Sequence, residues 1–142
     1  MILLDTDILI DVALDRAPFA EPAGLLLNWL EQHPGNACIA WHTIANFYYL
    51  VRPAHGSAPT KAMIIDLVQF VDVVKTNTAD LRIAVQLNMK DFEDAMQSAA
   101  ALAGKAQVIA TRNLGDYKHS PVPASTPADL VESDLSRFLK FQ

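Results

Sequence analysis

Residues 1–11 read Met-Ile-Leu-Leu-Asp-Thr-Asp-Ile-Leu-Ile-Asp, and this opening stretch decides which fold the chain is expected to adopt. The apolar run at residues 2–4 stops abruptly at Asp5, which is typical of a buried parallel strand whose carboxyl end opens onto a crevice. A helical pattern follows at once, with Thr6 or Asp7 as the candidate N-cap. We therefore expect Asp5 to lie where open α/β sheets bind ligands, in a position suited to a cation.

The size and composition of the chain predict a single domain over residues 1–142, because 51% of the residues are hydrophobic and can fill one sizeable core. The lone Cys38 excludes a disulfide scaffold and a thiolate zinc cluster, and it is interpreted as a small buried residue in a reducing cytosol. No basic segment precedes the first apolar run, and no apolar stretch approaches the roughly 20 residues that span a bilayer. We expect a soluble, cytoplasmic protein with no membrane partner.

The formal net charge of −5 argues against a protein that binds nucleic acid by bulk electrostatic attraction. It does not exclude a nuclease, because clustered carboxylates that hold metal ions add negative charge while the bound ions attract phosphate. A local rim of basic side chains would still be needed around such a site.

Short apolar segments alternate with helical patterns along the whole chain. Strands are predicted at residues 2–4, 37–40, 71–74 and 108–110, with a brief edge strand around Val122. Helices are predicted after residue 5, from near Pro22 to Pro34, and at about 44–51, 59–70, 78–87, 91–104 and 127–138. Thr43 is the expected N-cap of the third helix, and residues 53–56 are expected to form a loop. This alternation predicts a three-layer α/β/α fold around a central parallel sheet of four to five strands.

Two further groups of acidic residues fit the same crevice as Asp5. The first group lies at the start of a predicted helix and consists of Asp91, Glu93 and Asp94. An N-cap role explains Asp91, and the helix dipole explains Asp94, but three acidic residues exceed what capping requires. In the second, Asp116 follows the fourth strand, where a plain turn residue is the alternative. Both groups are expected to meet Asp5 at one edge of the sheet.

Three motifs carry a resemblance to a known family. They are Asp5-Thr6 after the opening strand, Asp94-Ala95 with small residues following, and the Thr-x-Asn-x-x-Asp-aromatic pattern at residues 111–117. The chain resembles the PIN domain family of metal-dependent ribonucleases, especially the short bacterial members of the VapC toxin type. The resemblance implies that Asp5, Asp94 and Asp116 are the catalytic, metal-binding aspartates. It also implies that Thr111 and Asn113 are polar supporting residues.

The chain departs from the family's pattern at two positions. Asn46 stands where the family has a glutamate, and it removes a negative charge and a proton acceptor. Asp7 stands where the family commonly has an asparagine, so the charge could be moved across the site rather than lost. A capping partner three residues after Thr43 is the alternative for Asn46. Glu93 is expected to support the site beside Asp94, together with Asp91 and Thr6.

The resemblance implies an endoribonuclease that uses Mg²⁺ or Mn²⁺, cleaves RNA, forms a homodimer and acts as the toxin of a toxin–antitoxin pair. Oxygen-only ligands select these hard cations, which lower the pKa of a bound water and stabilise charge on the phosphate. One alternative is a PIN fold with an impaired site that only binds RNA or a protein partner. A second is a haloacid-dehalogenase-type phosphatase, in which Asp5 would be the nucleophile and Asp7 the general acid.

Overall fold

The computed structural model describes residues 1–140, and its centre is one sheet of five parallel strands. The strands are β1 (Ile2–Leu4), β2 (Ala37–Ile39), β3 (Val71–Val73), β4 (Val108–Ala110) and β5 (Ala124–Ser125). Their order is β3-β2-β1-β4-β5, and each neighbouring pair is parallel. β1 therefore lies in the middle of the sheet, and its carboxyl end meets that of β4 because Leu4 pairs with Ala110.

Helices cover both faces of this sheet. They are α1 (Thr6–Ala13), α2 (Ala20–Glu31), α3 (Trp41–His55), α4 (Ser57–Leu67), α5 (Thr78–Gln86), α6 (Phe92–Ala103) and α7 (Pro127–Glu132). Successive side chains of a strand point to opposite faces, so Ile2 and Leu4 pack in a core with α1 to α4 and α7, whereas Leu3 packs in a second core with α6. The predicted three-layer α/β/α architecture is confirmed.

The third helix begins earlier and ends later than the sequence pattern indicates. It starts at Trp41, directly after β2, with Ala40 as an N-cap that makes no side-chain hydrogen bond, so the prediction that Thr43 caps it is wrong. Thr43 instead lies inside the helix and is fully buried. The predicted loop at residues 53–56 is also wrong in part, because α3 continues to His55 through Pro53, whose missing N–H affects only the last turn.

Three smaller boundaries differ as well. Asp5, rather than Thr6 or Asp7, is the N-cap of α1. The edge strand lies at residues 124–125 and not around Val122, whose side chain is buried in the α6-side core. The closing helix stops at Glu132, and a separate 3-10 turn follows at Leu135–Phe138. Among residues 1–140, no helix combines the length and the apolar character needed to cross a bilayer.

Candidate active site

Asp5 forms the centre of the site because the chain changes there from β1 to α1. Its Oδ1 accepts a hydrogen bond from the backbone N–H of Thr6 at 2.7 Å, and its Oδ2 accepts from the hydroxyls of Thr111 and Tyr117, each at 2.9 Å. Only 5% of Asp5 is exposed. Burial raises its pKa against the lowering effect of these hydrogen bonds, so the carboxylate is held firmly in an environment that disfavours its charge.

Asp94 reaches the same place from the first turn of α6. Its Oδ1 lies 3.3 Å from the Tyr117 hydroxyl, which also contacts Asp5, so one buried phenol joins the two carboxylates. Burial, together with the negative charges of nearby acids led by Asp91 and Asp5, raises the pKa of Asp94 to about 7. The structure therefore brings together two of the three predicted aspartates in direct contact with one side chain.

Asp116 is exposed on the 3-10 turn Leu114–Tyr117 that follows β4. It lines an open pocket of about 280 Å³ with Lys90, Asp91 and Asp94, and its charge contributes to the raised pKa of Asp94. The third predicted aspartate thus lies at the entrance of the site rather than inside it. The role of all three as metal ligands stays a prediction.

The Gln97 side chain is the main element of the site that sequence reasoning missed. It is fully buried on α6, and its Nε2 lies within hydrogen-bonding distance of four oxygens. These are Thr43 Oγ1 at 3.0 Å, Thr6 Oγ1 at 3.2 Å, Glu93 Oε1 at 3.2 Å and Asp5 Oδ1 at 3.4 Å. Because an amide nitrogen has two hydrogens, these acceptors share them. The spacing of three residues from Asp94 and four from Glu93 places Gln97 on their helix face and could have indicated its role.

Glu93 and His42 form a pair beside this amide. The His42 Nε2 lies 3.0 Å from Glu93 Oε1, and this contact joins the first turn of α3 to the first turn of α6. Burial raises the pKa of Glu93, but hydrogen bonding and charge from His42 and hydrogen bonding from Gln97 outweigh that effect, and the net shift is downward. Glu93 is therefore an ionised member of the cluster.

Asp7 lies on the opposite side of Asp5, in a network with the turn after β4. Its Oδ2 accepts from Asn113 Nδ2 at 2.8 Å and from the Thr111 hydroxyl at 3.5 Å. Arg112 Nε lies 3.8 Å from the same oxygen and 3.1 Å from Asp11, which is completely buried. Burial, followed by repulsion from Asp5, raises the pKa of Asp7 to about 7.

The structure places the other predicted residues as follows. Thr6 is buried and its hydroxyl lies 3.1 Å from that of Thr43. Asp91 is the N-cap of α6, since its Oδ1 accepts from the Asp94 N–H, which confirms the capping interpretation. Asn46 is half-buried one turn beyond Thr43, and within residues 1–140 its side chain makes no hydrogen bond, so it remains outside the cluster.

The donor set fits a hard divalent cation. Asp91, Glu93 and Asp94 each offer a carboxylate oxygen, and these atoms all lie within 4.8 Å of one another. Asp5 and Asp94 are buried carboxylates whose charged forms are disfavoured, and a cation between acids of this kind would remove the repulsion. Carboxylate oxygens without sulfur or imidazole ligands are the set that Mg²⁺ and Mn²⁺ prefer.

The fold and the converging carboxylates define an α/β protein with an acidic site at the carboxyl ends of its parallel strands. A family model described as the PIN domain matches residues 1–115, so the chain belongs to the PIN domain family. This family consists generally of nucleases. A comparison with curated proteins gives no match.

Two solved structures share the fold. VapBC2 from Rickettsia felis, bound to a DNA fragment from its promoter, is 15% identical with a TM-score of 0.68, over 89% of this chain and 98% of that chain. FitAB bound to the IR36 DNA fragment is 18% identical with a TM-score of 0.68, over 90% of this chain and 96% of that chain. At these identities the likeness concerns the fold alone.

Proposed function

We propose that this protein is an Mg²⁺- or Mn²⁺-dependent endoribonuclease that hydrolyses RNA phosphodiester bonds. One observation carries the proposal. Asp5 and Asp94, which are distant in the sequence, converge on the hydroxyl of Tyr117 at the carboxyl edge of the sheet and are both buried. Burying two carboxylates together costs stability, and acids of this kind are typical of metal-dependent active sites.

We assign the following roles in metal binding and phosphate binding to the residues of the site. Asp5 and Asp94 would hold the ion, and Asp116 would add an oxygen ligand from the open side of the pocket. When bound, the divalent ion supplies activation of a water and neutralisation of charge on the phosphate. Thr111 and Tyr117 fix the direction of the Asp5 carboxylate by donating to its Oδ2. Lys90, at the rim of the same pocket, is placed to attract the phosphate.

The test is cleavage of a mixed panel of structured and single-stranded RNAs with Mn²⁺, Mg²⁺ or EDTA. Asp94→Asn removes a proposed ligand, and Asp129→Asn, which changes an exposed aspartate of α7, is the matched control. Cleavage that requires metal and is lost only in Asp94→Asn supports the proposal. Absence of cleavage by folded wild-type protein, or full cleavage by Asp94→Asn, would refute it.

We further propose that the protein is the toxin of a toxin–antitoxin pair and forms a homodimer in the cytoplasm. Support comes from the fold shared with VapBC2 and FitAB, and from exposed apolar side chains that a partner could cover. On α3, on α4 and at the C-cap of α4 these are Trp41, Tyr49, Leu50, Ile65 and Val68. A small neighbouring reading frame whose product copurifies with this chain would support the pairing, and a monomer in sedimentation experiments would refute the dimer.

A second candidate function is binding of RNA or protein by a PIN fold with an impaired site. The neutral Asn46 favours it, because the resemblance places a glutamate there. The family match favours both PIN interpretations over the dehalogenase-type phosphatase. RNA binding without cleavage under every metal condition would support this second function.

A further inference from the structure

We infer that Glu93 is a fourth carboxylate ligand of the metal site, and that it supplies from α6 the charge that the family pattern places on α3 at Asn46. This inference rests on the proposed function and deepens it. It changes the expected role of Glu93 from support beside Asp94 to direct binding of the ion.

The first step concerns what α3 contributes to the site. Two side chains of α3 reach the site: His42 contacts Glu93, and the Thr43 hydroxyl lies 3.1 Å from that of Thr6 and 3.0 Å from Gln97 Nε2. Asn46, one turn further on, forms no hydrogen bond with any residue in the described range 1–140. α3 therefore offers the site a hydroxyl and an imidazole but no acid.

The second step concerns the distance from Glu93 to the other acids. Gln97 Nε2 is 3.2 Å from Glu93 Oε1 and 3.4 Å from Asp5 Oδ1, so both carboxylates share one donor. A carboxylate oxygen of Glu93 also lies within 4.8 Å of one of Asp94. Oxygens on opposite sides of a bound Mg²⁺ lie about 4.2 Å apart, because each Mg–O distance is about 2.1 Å. A small movement of one side chain is enough to bring Glu93 and Asp94 to one ion.

The third step concerns how Glu93 is held. His42 Nε2 and Gln97 Nε2 both contact Oε1, at 3.0 Å and 3.2 Å. Neither of these two contacts uses Oε2, which leaves that oxygen on the side of a ligand. The Glu93 side chain is 37% exposed, so an ion can reach it from solvent. Ligating carboxylates are commonly oriented by hydrogen bonds of this kind, and His42 is accordingly a positioning residue.

The buried Gln97 adds an independent observation. Its side chain is completely inaccessible to solvent, yet its Oε1 has no hydrogen-bond partner among residues 1–140. A buried amide oxygen without a partner costs stability, whereas the amide nitrogen lies within hydrogen-bonding distance of four oxygens. That nitrogen connects Glu93 to Asp5, the residue at the centre of the site.

The simplest competing explanation is that Glu93 and His42 form an ion pair that only joins α3 to α6. The two explanations differ in what happens when charge is removed while shape is kept. Glu93→Gln removes the carboxylate, whereas His42→Gln leaves it and retains an N–H donor. If Glu93 is a metal ligand, Glu93→Gln weakens metal binding far more than His42→Gln does. If Glu93 and His42 only form an ion pair, neither substitution weakens metal binding.

Mn²⁺ binding is to be measured from the electron paramagnetic resonance signal of free Mn²⁺, without any substrate. Variants are wild type, Glu93→Gln, His42→Gln and the control Glu132→Gln, which changes an exposed glutamate of α7. We expect Glu93→Gln to weaken Mn²⁺ binding by about tenfold or more, and His42→Gln by a smaller factor. Glu132→Gln should bind as wild type does. Glu93→Asp, which shortens the side chain, should also weaken binding and replaces Glu93→Gln if that variant does not fold.

Equal Mn²⁺ affinity of Glu93→Gln and Glu132→Gln would overturn the inference, and so would a wild type that binds no Mn²⁺. RNA cleavage by the same preparations tests the proposed nuclease function separately from the role of Glu93. A wild type that binds Mn²⁺ but cleaves no RNA refutes the nuclease function, while the comparison of affinities still decides the role of Glu93.

Discussion

At the residue scale, the site depends on one buried phenol. Tyr117 contacts Asp5 at 2.9 Å and Asp94 at 3.3 Å, and its own pKa is raised by burial and by these carboxylates, so it remains a donor. The neutral phenol shares its one hydroxyl hydrogen between the two acids and so offsets part of their repulsion. The aromatic position of the 111–117 motif therefore acts through its hydroxyl as well as through its ring.

Replacement of this hydroxyl tests that role. Tyr117→Phe keeps the ring and is expected to lower metal affinity and cleavage by about 10–100-fold, because the carboxylates lose a shared donor. The net loss of folding stability should be modest, at about 1–3 kcal/mol, since one hydrogen bond to charged groups is removed. Tyr49→Phe, at an exposed position of α3, is the control. Unchanged Mn²⁺ affinity in Tyr117→Phe would show that the ring alone matters.

The raised pKa of Asp94 predicts how stability depends on pH in the metal-free protein. Its pKa rises from 3.8 to about 7 on folding, so the folded state disfavours the charged form. The destabilisation by Asp94 is absent at low pH, grows as the pH rises through this interval and is constant above it. In EDTA, the free energy of unfolding of Asp94→Asn relative to wild type should therefore increase between about pH 4 and 7. Denaturant titrations would contradict this if that difference fell with rising pH.

At the element scale, α6 carries most of the site, and its first turn has a structural and a chemical task. Asp91 caps the helix by accepting from the Asp94 N–H, while Asp94 and Glu93 point their carboxylates to the cluster. Asp91→Ala should cost about 1 kcal/mol of stability because the cap is lost, whereas Asp91→Asn should stay near wild type because Asn caps equally well. Urea denaturation of both variants checks this, and equal losses would argue against capping.

The end of α6 is set by close packing against the sheet. A Cβ added at Gly104 would lie 3.0 Å from Val74 Cγ2 and 3.3 Å from Cys38 Sγ, whereas one at Gly24 in α2 would meet nothing within 4 Å. Gly104→Ala should therefore destabilise the protein by about 1–3 kcal/mol through overpacking. Gly24→Ala should stabilise it by up to about 1 kcal/mol through helix propensity. A shift of both denaturation midpoints in the same direction would refute this packing argument.

At the scale of the whole molecule, the local signals in the sequence were sufficient for the architecture. Apolar runs such as residues 2–4 and 108–110 predicted strands, and parallel strands bring their carboxyl ends to one edge, so the meeting of Asp5 with the acids of α6 followed. The sequence pattern places the start of α3 too late. The helix begins at Trp41, directly after the strand that ends at Ile39, and needs no polar cap.

What could not be predicted depends on contacts between residues that are distant in the sequence. The four acceptors around Gln97 come from three helices and a strand end, and no local periodicity indicates which of them an amide will reach. The pairing of His42 with Glu93 belongs to the same class, since it requires the relative positions of α3 and α6. Periodicity predicts the face on which a side chain lies, whereas the partner is decided by packing.

The distribution of charge over the molecule supports the proposal of a bound metal ion. The net charge is −5, and Arg16 and Arg112 lie close to the buried Asp11 rather than standing free for phosphate. A divalent ion at the acidic cluster would add positive charge to that of Lys90 at this edge of the sheet. The position of that ion is therefore the central prediction.

Anomalous X-ray scattering from crystals soaked in Mn²⁺ would locate the ion directly. The account predicts a peak within about 2.5 Å of carboxylate oxygens of Asp5 and Asp94, with Asp116 and Glu93 completing the oxygen set directly or through water. A well-occupied peak elsewhere, with Asp5 and Asp94 still joined only by Tyr117, would contradict the central claim that these strand-end acids form a metal site.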